Sequence, residues 1–382
     1  MPKESMSNRS PATSSDVPSV DASRLKATET GTARYRDRFQ TEFVADYFRP
    51  LASGLTASSI GIGTYLGDST DDDDRAYESA IQAAVGSGIN LIDTAINYRS
   101  QRSERTVGAA IQQLIATGNT TREELVVCTK GGYIPLDRTP PATREEYRDY
   151  VRREFVDTEI LLPDDIVGGG HCLAPRFLRY CLAKSRQNLG LRTIDIYYIH
   201  NPGQQLVAVS PAELLGRLRA VFEVLEEAAG RGEIGIYGIA TWDSLRQPPG
   251  STDHIDLADL VDIARSIGGA DHRFRAVQLP ISMAMPEAIR GQTQRVNGKL
   301  VSVIEAAEAL ELSLVGSASL MQGKLATGLP EAVRSLFSGL DTDAQRALAF
   351  ARSAPGVASA LVGMKRPEHV LENLGTARIT RS

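Results

Sequence analysis

The sequence predicts an α/β fold of the (β/α)8 TIM-barrel class, with a disordered N-terminal extension and long loops after strands 3 and 6. Three observations lead there. Eight short β-branched or apolar runs alternate strictly with eight amphipathic helical stretches. No glycine-rich dinucleotide turn follows the first run. Ionisable residues recur at the ends of consecutive runs. Strand–helix alternation implies parallel βαβ units, and eight of them suit a closed barrel better than an open doubly wound sheet. The Gly61-x-Gly63 pair lacks the third glycine and the helix directly after it that a Rossmann turn needs.

The strand-like runs are Ser58–Gly63, Asn90–Asp93, Leu125–Thr129, Ile194–Ile199, Ile234–Ala240, Ala276–Leu279, Ser313–Gly316 and Val357–Val362. The helical stretches are Asp74–Ser87, Glu104–Thr117, Pro175–Leu189, Pro211–Arg231, Ile255–Ile267, Leu300–Leu310, Thr342–Ser353 and Pro367–Thr376. In the fourth of these, Leu214, Leu215, Leu218, Val221, Phe222 and Leu225 recur at helical spacing. Residues 1–34 are rich in Ser, Thr, Asp and Pro and hold too few large apolar side chains to offset the entropy of ordering. They are expected to form a solvated tail, with 35–382 as the barrel domain. Tyr35, Phe39, Phe43, Tyr47 and Phe48 are expected to pack on that domain. Residues 131–174 and 281–299 break the rhythm after strands three and six, where long loops usually cover a ligand.

Bulk properties narrow the class. The 382 residues are 42% hydrophobic and 23% charged, ordinary for a globular chain with a full core. A net charge of −5 argues against nucleic acid as a partner. Cys128, Cys172 and Cys181 are odd in number and show no CxxC spacing, which favours reduced thiols over a disulfide framework or zinc site. The first residues lack the apolar core of a secretory signal, and no run approaches the ~18 apolar residues of a membrane span. The expectation is a cytoplasmic protein without a membrane partner.

Four residues carry the chemistry. Asp93 ends the second strand, Tyr98 follows five residues later, Lys130 ends the third strand and His200 the fourth. Parallel strands bring these ends to one mouth of a barrel. A carbonyl that accepts a hydride becomes an alkoxide and needs a proton. A free phenol has a pKa of about 10, and a nearby ammonium favours its anion. An aspartate would hold that ammonium, and an imidazole could hydrogen-bond the carbonyl oxygen. The set therefore reads as a tyrosine acid tuned toward neutral pH.

Asp93-Thr94-Ala95-x-x-Tyr98, Thr129-Lys130 and Ile199-His200-x-Pro202 resemble the signatures of aldo-keto reductases, and the resemblance runs from about residue 58 to 376. It implies Tyr98 as proton donor, Asp93 and Lys130 as its tuning pair, and His200 as the group that orients the carbonyl of a small-molecule substrate. It also implies a nicotinamide cofactor. Gly63, Thr64 and Tyr65 correspond to the first cofactor loop, and Gln278 to a contact with the carboxamide. Ser319, Leu320, Gln322 and Gly323 correspond to the loop over the pyrophosphate. Gly363, Lys365, Arg366, His369, Glu372 and Asn373 correspond to the element that holds the adenosine 2′-phosphate and adenine. A helix N-terminus beside Lys365 and Arg366 makes an anion site, which favours NADPH over NADH. The chain departs from the family pattern at Ala240-Thr241 (usually Ser-Asn), Ile281 (usually aromatic), Ala318 (usually Ser) and His369 (usually Arg).

Plainer readings compete at other positions. Asp71–Asp74 reads as a solvated run at a helix start, and Ser103 as the cap of the second helix. The arginines around it read as solvated charge. His171 and Cys172 lack spaced partners for a metal, so no metal site is expected. Trp242 suits a pocket wall and ordinary packing equally. A metal-dependent hydrolase would need several strand-end histidines, and the sequence offers one. The alternative from another class is a cofactor-binding regulatory protein on the same scaffold, with a protein partner on the N-terminal tail.

Overall fold

A computed structural model describes residues 25–378. Eight parallel strands close a barrel: β1 (Ile60–Gly63), β2 (Leu91–Asp93), β3 (Val126–Gly131), β4 (Ile194–His200), β5 (Ile234–Ala240), β6 (Phe274–Pro280), β7 (Ser313–Ser317) and β8 (Val357–Gly363). Each strand pairs with its neighbour in chain order. β8 returns to β1 through Val362↔Ile62 and Gly363↔Gly63. The expected strands all occur, with ends moved by a residue or two. The first loses Ser58, which belongs instead to a short antiparallel hairpin of Phe48–Pro50 with Thr56–Ser58.

Helices form where the apolar stripe and the caps agree. α1 (Glu29–Phe39) precedes the barrel, and α2 (Asp71–Gly86), α3 (Arg102–Ala116), α4 (Pro175–Leu189), α5 (Pro211–Gly230), α6 (Leu257–Gly268), α7 (Val303–Ala309), α8 (Asp343–Ser353) and α9 (Pro367–Leu374) surround it. Ser210 caps α5 by accepting the N–H of Glu213, with Pro211 in the first turn. Ser302 and Glu305 form a reciprocal capping box on α7. Between strands and helices lies a layer that includes Ile111, Leu178, Phe222, Val261 and Leu348, all essentially buried. Inside the barrel Leu91, Val126, Ile196, Tyr198, Ile236 and Val315 pack on Ala27, Leu51, Leu55 and Ala57 from the N-terminal segment. The hairpin and its flanks are therefore the plug at the bottom of the barrel.

That finding corrects the expected tail. Residues 1–24, with the partner surface expected on them, lie outside the described residues. Residues 25–34 are ordered. The N–H of Ala27 donates to Asp195 Oδ1 at 2.7 Å, and Arg34 pairs with Glu123 and Glu124 at 3.0 Å each. Composition misled here, because these few polar residues are held by partners far along the chain. The aromatics that follow pack as expected: Phe43 stacks on Tyr47 with centroids 3.9 Å apart, and Tyr35 donates to the carbonyl of Val85 at 2.6 Å.

The long loop after β3 folds a short helix, Arg144–Val151, and packs Phe155 edge-on against Phe177 and Tyr180. The loop after β6 forms a hairpin of Gln294–Val296 with Lys299–Val301. Its two-residue turn is Asn297-Gly298, both at positive φ (51° and 76°), the conformation that such tight hairpins require. No helix among the described residues is long and apolar enough to cross a membrane.

Asp195 ties the N-terminal segment to the base of the barrel. Its second oxygen accepts Arg122 and the N–H of Val127, both at 2.8 Å, inside the wall. Substituting Asp195→Ala strands the Arg122 guanidinium and should cost about 3–5 kcal/mol, the usual penalty for breaking a buried pair. Urea denaturation of the variant against the parent chain measures it.

Candidate active site

The C-terminal ends of the strands open on one cavity of about 1230 Å³. This exceeds the ~300–1,000 Å³ of an ordinary small-molecule site, and suits a dinucleotide together with a small substrate. Asp93 is the last residue of β2, and β1 fixes its height through the pairing Gly63↔Asp93. Lys130, one residue from the end of β3, points its ammonium inward. Nζ donates to Asp93 Oδ2 at 2.6 Å and to the carbonyl of Thr94 at 2.9 Å. Gln278 on β6 donates from Nε2 to Asp93 Oδ1 at 2.8 Å. The carboxylate is thus held from both sides, and neither buried charge is left alone.

Tyr98 stands over this pair, with the Lys130 Nζ 5.0 Å from its ring centroid. The chain after it is forced. Arg99, Ser100 and Gln101 all take positive φ (45°, 54° and 66°), a conformation that costs non-glycine residues about 1–3 kcal/mol each. Compensation is visible. Arg99 donates to Ser103 Oγ at 3.0 Å and pairs with Asp74 at 2.8 Å, and Gln101 Nε2 donates to the carbonyl of Leu136 at 3.0 Å. Two expectations change. Gln101, not Ser103, is the N-cap of α3, and Ser103 instead donates to the carbonyl of Thr64 at 2.7 Å. Arg102 is paired with Asp71 and Asp74, so it and those two acids are not simply solvated. Thr70 caps α2 by accepting the N–H of Asp73, and Asp72 alone of the four acids has no inward partner.

His200 ends β4, with its ring centroid 5.9 Å from that of Tyr98. Burial, then the Lys130 charge, holds its pKa well below the ordinary 6.5, so the ring is neutral. Nδ1 is buried without a partner. A buried acceptor without a partner is less costly than a buried donor, so the proton belongs on Nε2. Burial pushes the Tyr98 phenol above its usual 10; the Lys130 charge pulls it down and the Asp93 carboxylate pushes it up. The expected tuning toward neutrality is therefore not the net direction: burial outweighs the ammonium. Burial opposes the charge on Lys130, but Asp93 and Tyr98 outweigh it, and its pKa is raised. The site at neutral pH holds a protonated phenol, a charged lysine and a neutral imidazole.

Every other candidate catalytic or cofactor residue named from the sequence lines the same cavity; of that set Lys130 alone lies behind it. Gly63 ends β1 and Thr64 and Tyr65 follow it, Thr241 follows β5, and Gln278 comes from β6. Ser319, Leu320, Gln322 and Gly323 follow β7. Gly363 ends β8, and Lys365 and Arg366 lead into α9, which carries His369, Glu372 and Asn373. Ser319 Oγ and Asn373 Oδ1 are buried and unpartnered, two polar atoms that a dinucleotide would satisfy. Thr64 is differently employed: both its N–H and its hydroxyl donate to the carbonyl of Asp93 at 3.1 Å. Ile281 is fully buried and does not line the cavity, so it takes no place on a nicotinamide face.

The sequence reading missed part of the wall. Asn201, in a left-handed conformation, accepts the N–H of Trp242 at 2.8 Å and donates to Tyr133 Oη at 3.1 Å. This bracket sets two aromatic rings at the mouth, and only its place next to His200 hinted at it. Of the long loops, only Tyr133 after β3 and no residue of 282–302 lines the cavity. Both loops pack outward on the helices instead of folding over the mouth.

His171, unassigned in the sequence, is buried behind His200. Nε2 donates to the His200 backbone carbonyl at 2.8 Å, and Nδ1 accepts from Gln205, whose own oxygen accepts from Arg217 at 2.6 Å. Gly132 permits the approach, since a Cβ there would stand 2.9 Å from the His200 carbonyl oxygen. Burial lowers the His171 pKa to about 4. A depressed histidine costs nothing above its unfolded pKa of about 6.5 and destabilises the fold as pH falls from there toward the folded value. His171→Phe should therefore remove about 2 kcal/mol of the stability lost between pH 7 and 5. Denaturation curves for both chains at the two pH values test this.

The closed eight-stranded barrel brings Asp93, Tyr98, Lys130 and His200 together at one mouth. The profile of the Aldo/keto reductase family matches residues 59–249, and the chain belongs to that family. It is 29% identical over 193 residues to a D-threo-aldose 1-dehydrogenase of a Pseudomonas species, covering 50% of this chain and 52% of the relative. It is 29% identical over 195 residues to an NADH-specific methylglyoxal reductase of Escherichia coli, covering 50% of each. The chain thus spans about half the length of the curated relatives it matches. An aldo/keto reductase from Klebsiella pneumoniae, solved with NADP and acetate, shares the fold with a TM-score of 0.58 at 18% identity, over 88% of this chain and 91% of that one. The holo form of an aldo-keto reductase from Bacillus halodurans does so with a TM-score of 0.55 at 17% identity, over 86% and 90%.

Proposed function

We propose that the protein reduces an aldehyde, ketone or sugar-like carbonyl to an alcohol with NADPH, and that Tyr98 gives the proton. The observation that carries this reading is the Asp93–Lys130 pair beneath Tyr98, beside a cavity large enough for cofactor and substrate. The cofactor, when bound, supplies the hydride. Tyr98 holds a proton at Oη throughout the neutral range, because burial has raised its pKa. Lys130, kept charged by Asp93, favours the phenolate left once that proton is given up. His200 presents a neutral N–H that can hydrogen-bond the carbonyl oxygen and fix its approach. Trp242 and Tyr133 wall the substrate side. Ser319, Asn373, Lys365 and Arg366 would hold the adenosine half, and Gln278, tied to Asp93, would align the carboxamide with the catalytic pair.

The test is a carbonyl screen with purified protein and its Tyr98→Phe variant. Reduction should fall by about 10²–10⁴-fold, the range for losing a general acid, while NADPH binding followed by fluorescence persists. A variant that reduces as fast as the parent chain overturns Tyr98 as donor. A biological effect retained in the variant would support the regulatory reading instead.

The pH profile follows from the two shifts. A phenol raised above about 10 stays protonated, and an imidazole lowered below about 6.5 stays neutral. The reductive rate should be flat from about pH 6.5 to 9, and alcohol oxidation, which needs the phenolate, should rise with pH throughout. A reductive rate that falls through pH 7–8 would place the proton donor elsewhere.

A further inference from the structure

Lys365 carries much of the proposed preference for a 2′-phosphate, yet its ammonium is already engaged. Nζ lies 2.7 Å from Oδ1 of Asp73, in the first turn of α2. The other oxygen of that carboxylate accepts the backbone N–H of Asp68 at 2.5 Å. The loop between them passes close by. Gly67, at a φ of +103°, lines the cavity, and a Cβ there would overlap the Asp73 carboxylate. The Asp73 side chain is only 13% exposed, against 40% for Lys365. Asp73 is thus wedged between the first cofactor loop and the cation of the last one. Arg366, the other cation here, lies 3.1 Å from His369 Nε2. Arg99 is the further positive charge felt by Asp73.

We propose that Asp73 is a specificity-determining residue for the dinucleotide: its carboxylate occupies Lys365 and handicaps a 2′-phosphate relative to a 2′-hydroxyl. This rests on the dinucleotide reading above. A phosphate monoester brings about −1.5 to −2 charges at neutral pH. To use Lys365 it must displace the carboxylate or share the ammonium with it. Displacement leaves a poorly exposed carboxylate with one N–H donor, and sharing sets like charges side by side. Both costs fall on NADPH alone. A ribose 2′-hydroxyl is uncharged and can donate to a carboxylate, which is how an acidic residue favours NADH in other dinucleotide sites. Arg366 and the α9 N-terminus still attract the phosphate, so the preference is narrowed and not reversed. Lys365 is partly solvated, which keeps the effect moderate.

The experiment is a fluorescence titration of the full chain with NADPH and with NADH, for the parent, Asp73→Asn, Asp73→Ser, Lys365→Met and the Asp73→Asn/Lys365→Met double variant. Either neutral substitution at 73 should raise the ratio Kd(NADH)/Kd(NADPH) about tenfold, through tighter NADPH binding, the scale of one charge–charge contact. The gain should vanish when Lys365 is Met. A ratio unchanged in both position-73 variants, or a gain that survives without Lys365, overturns the proposal while leaving the cofactor reading intact. A parent chain that binds neither dinucleotide overturns the cofactor reading and this inference with it.

Discussion

An ammonium buried at the mouth of a barrel sets the terms for what surrounds it. Lys130 cannot stay charged there without a counterion, so Asp93 must reach it from the neighbouring strand. Asp93 in turn needs its second oxygen filled, which recruits Gln278 from across the barrel. Three strands are therefore locked at one height by a single electrostatic requirement. Tyr98 sits above that lock, and the effort spent on its loop is large: three successive left-handed residues, held by Arg99 and Asp74. The arrangement tolerates local strain because the site's geometry depends on it.

The opposite end of the barrel obeys the same rule with different residues. Asp195 is buried at the base and gathers a guanidinium and two backbone donors. One of those donors belongs to Ala27, so a polar anchor closes the bottom where apolar plugging alone would leave unpaired groups. The two ion pairs differ in use. The lower one fastens the N-terminal segment, and the upper one faces a cavity.

Much of this was legible in the residues. The strand–helix alternation named the barrel because period and spacing are local properties, and the strand-end positions of Asp93, Lys130 and His200 followed from them. The cofactor candidates converged on one cavity for the same reason. What could not be read depends on pairings distant in sequence. Residues 25–34 look like a tail until Asp195 and Glu124 are beside them. Asp73 and Asp74 look solvated until Lys365 and Arg102 arrive. His171 looks idle until the His200 carbonyl approaches it over Gly132. The direction of the Tyr98 shift also escaped, since a sequence shows the charge beside the phenol but not how deeply both are buried.

The hairpin after β6 ends in Asn297-Gly298, exposed and outside the cavity lining. Its ladder closes on itself, so the chain enters and leaves the tip at nearly the same point. An epitope, a fluorophore or a linker to a solid support can be grafted there without lengthening any connection that shapes the mouth. The fold thus carries its own handle: a place to hold the protein that touches no residue lining the cavity.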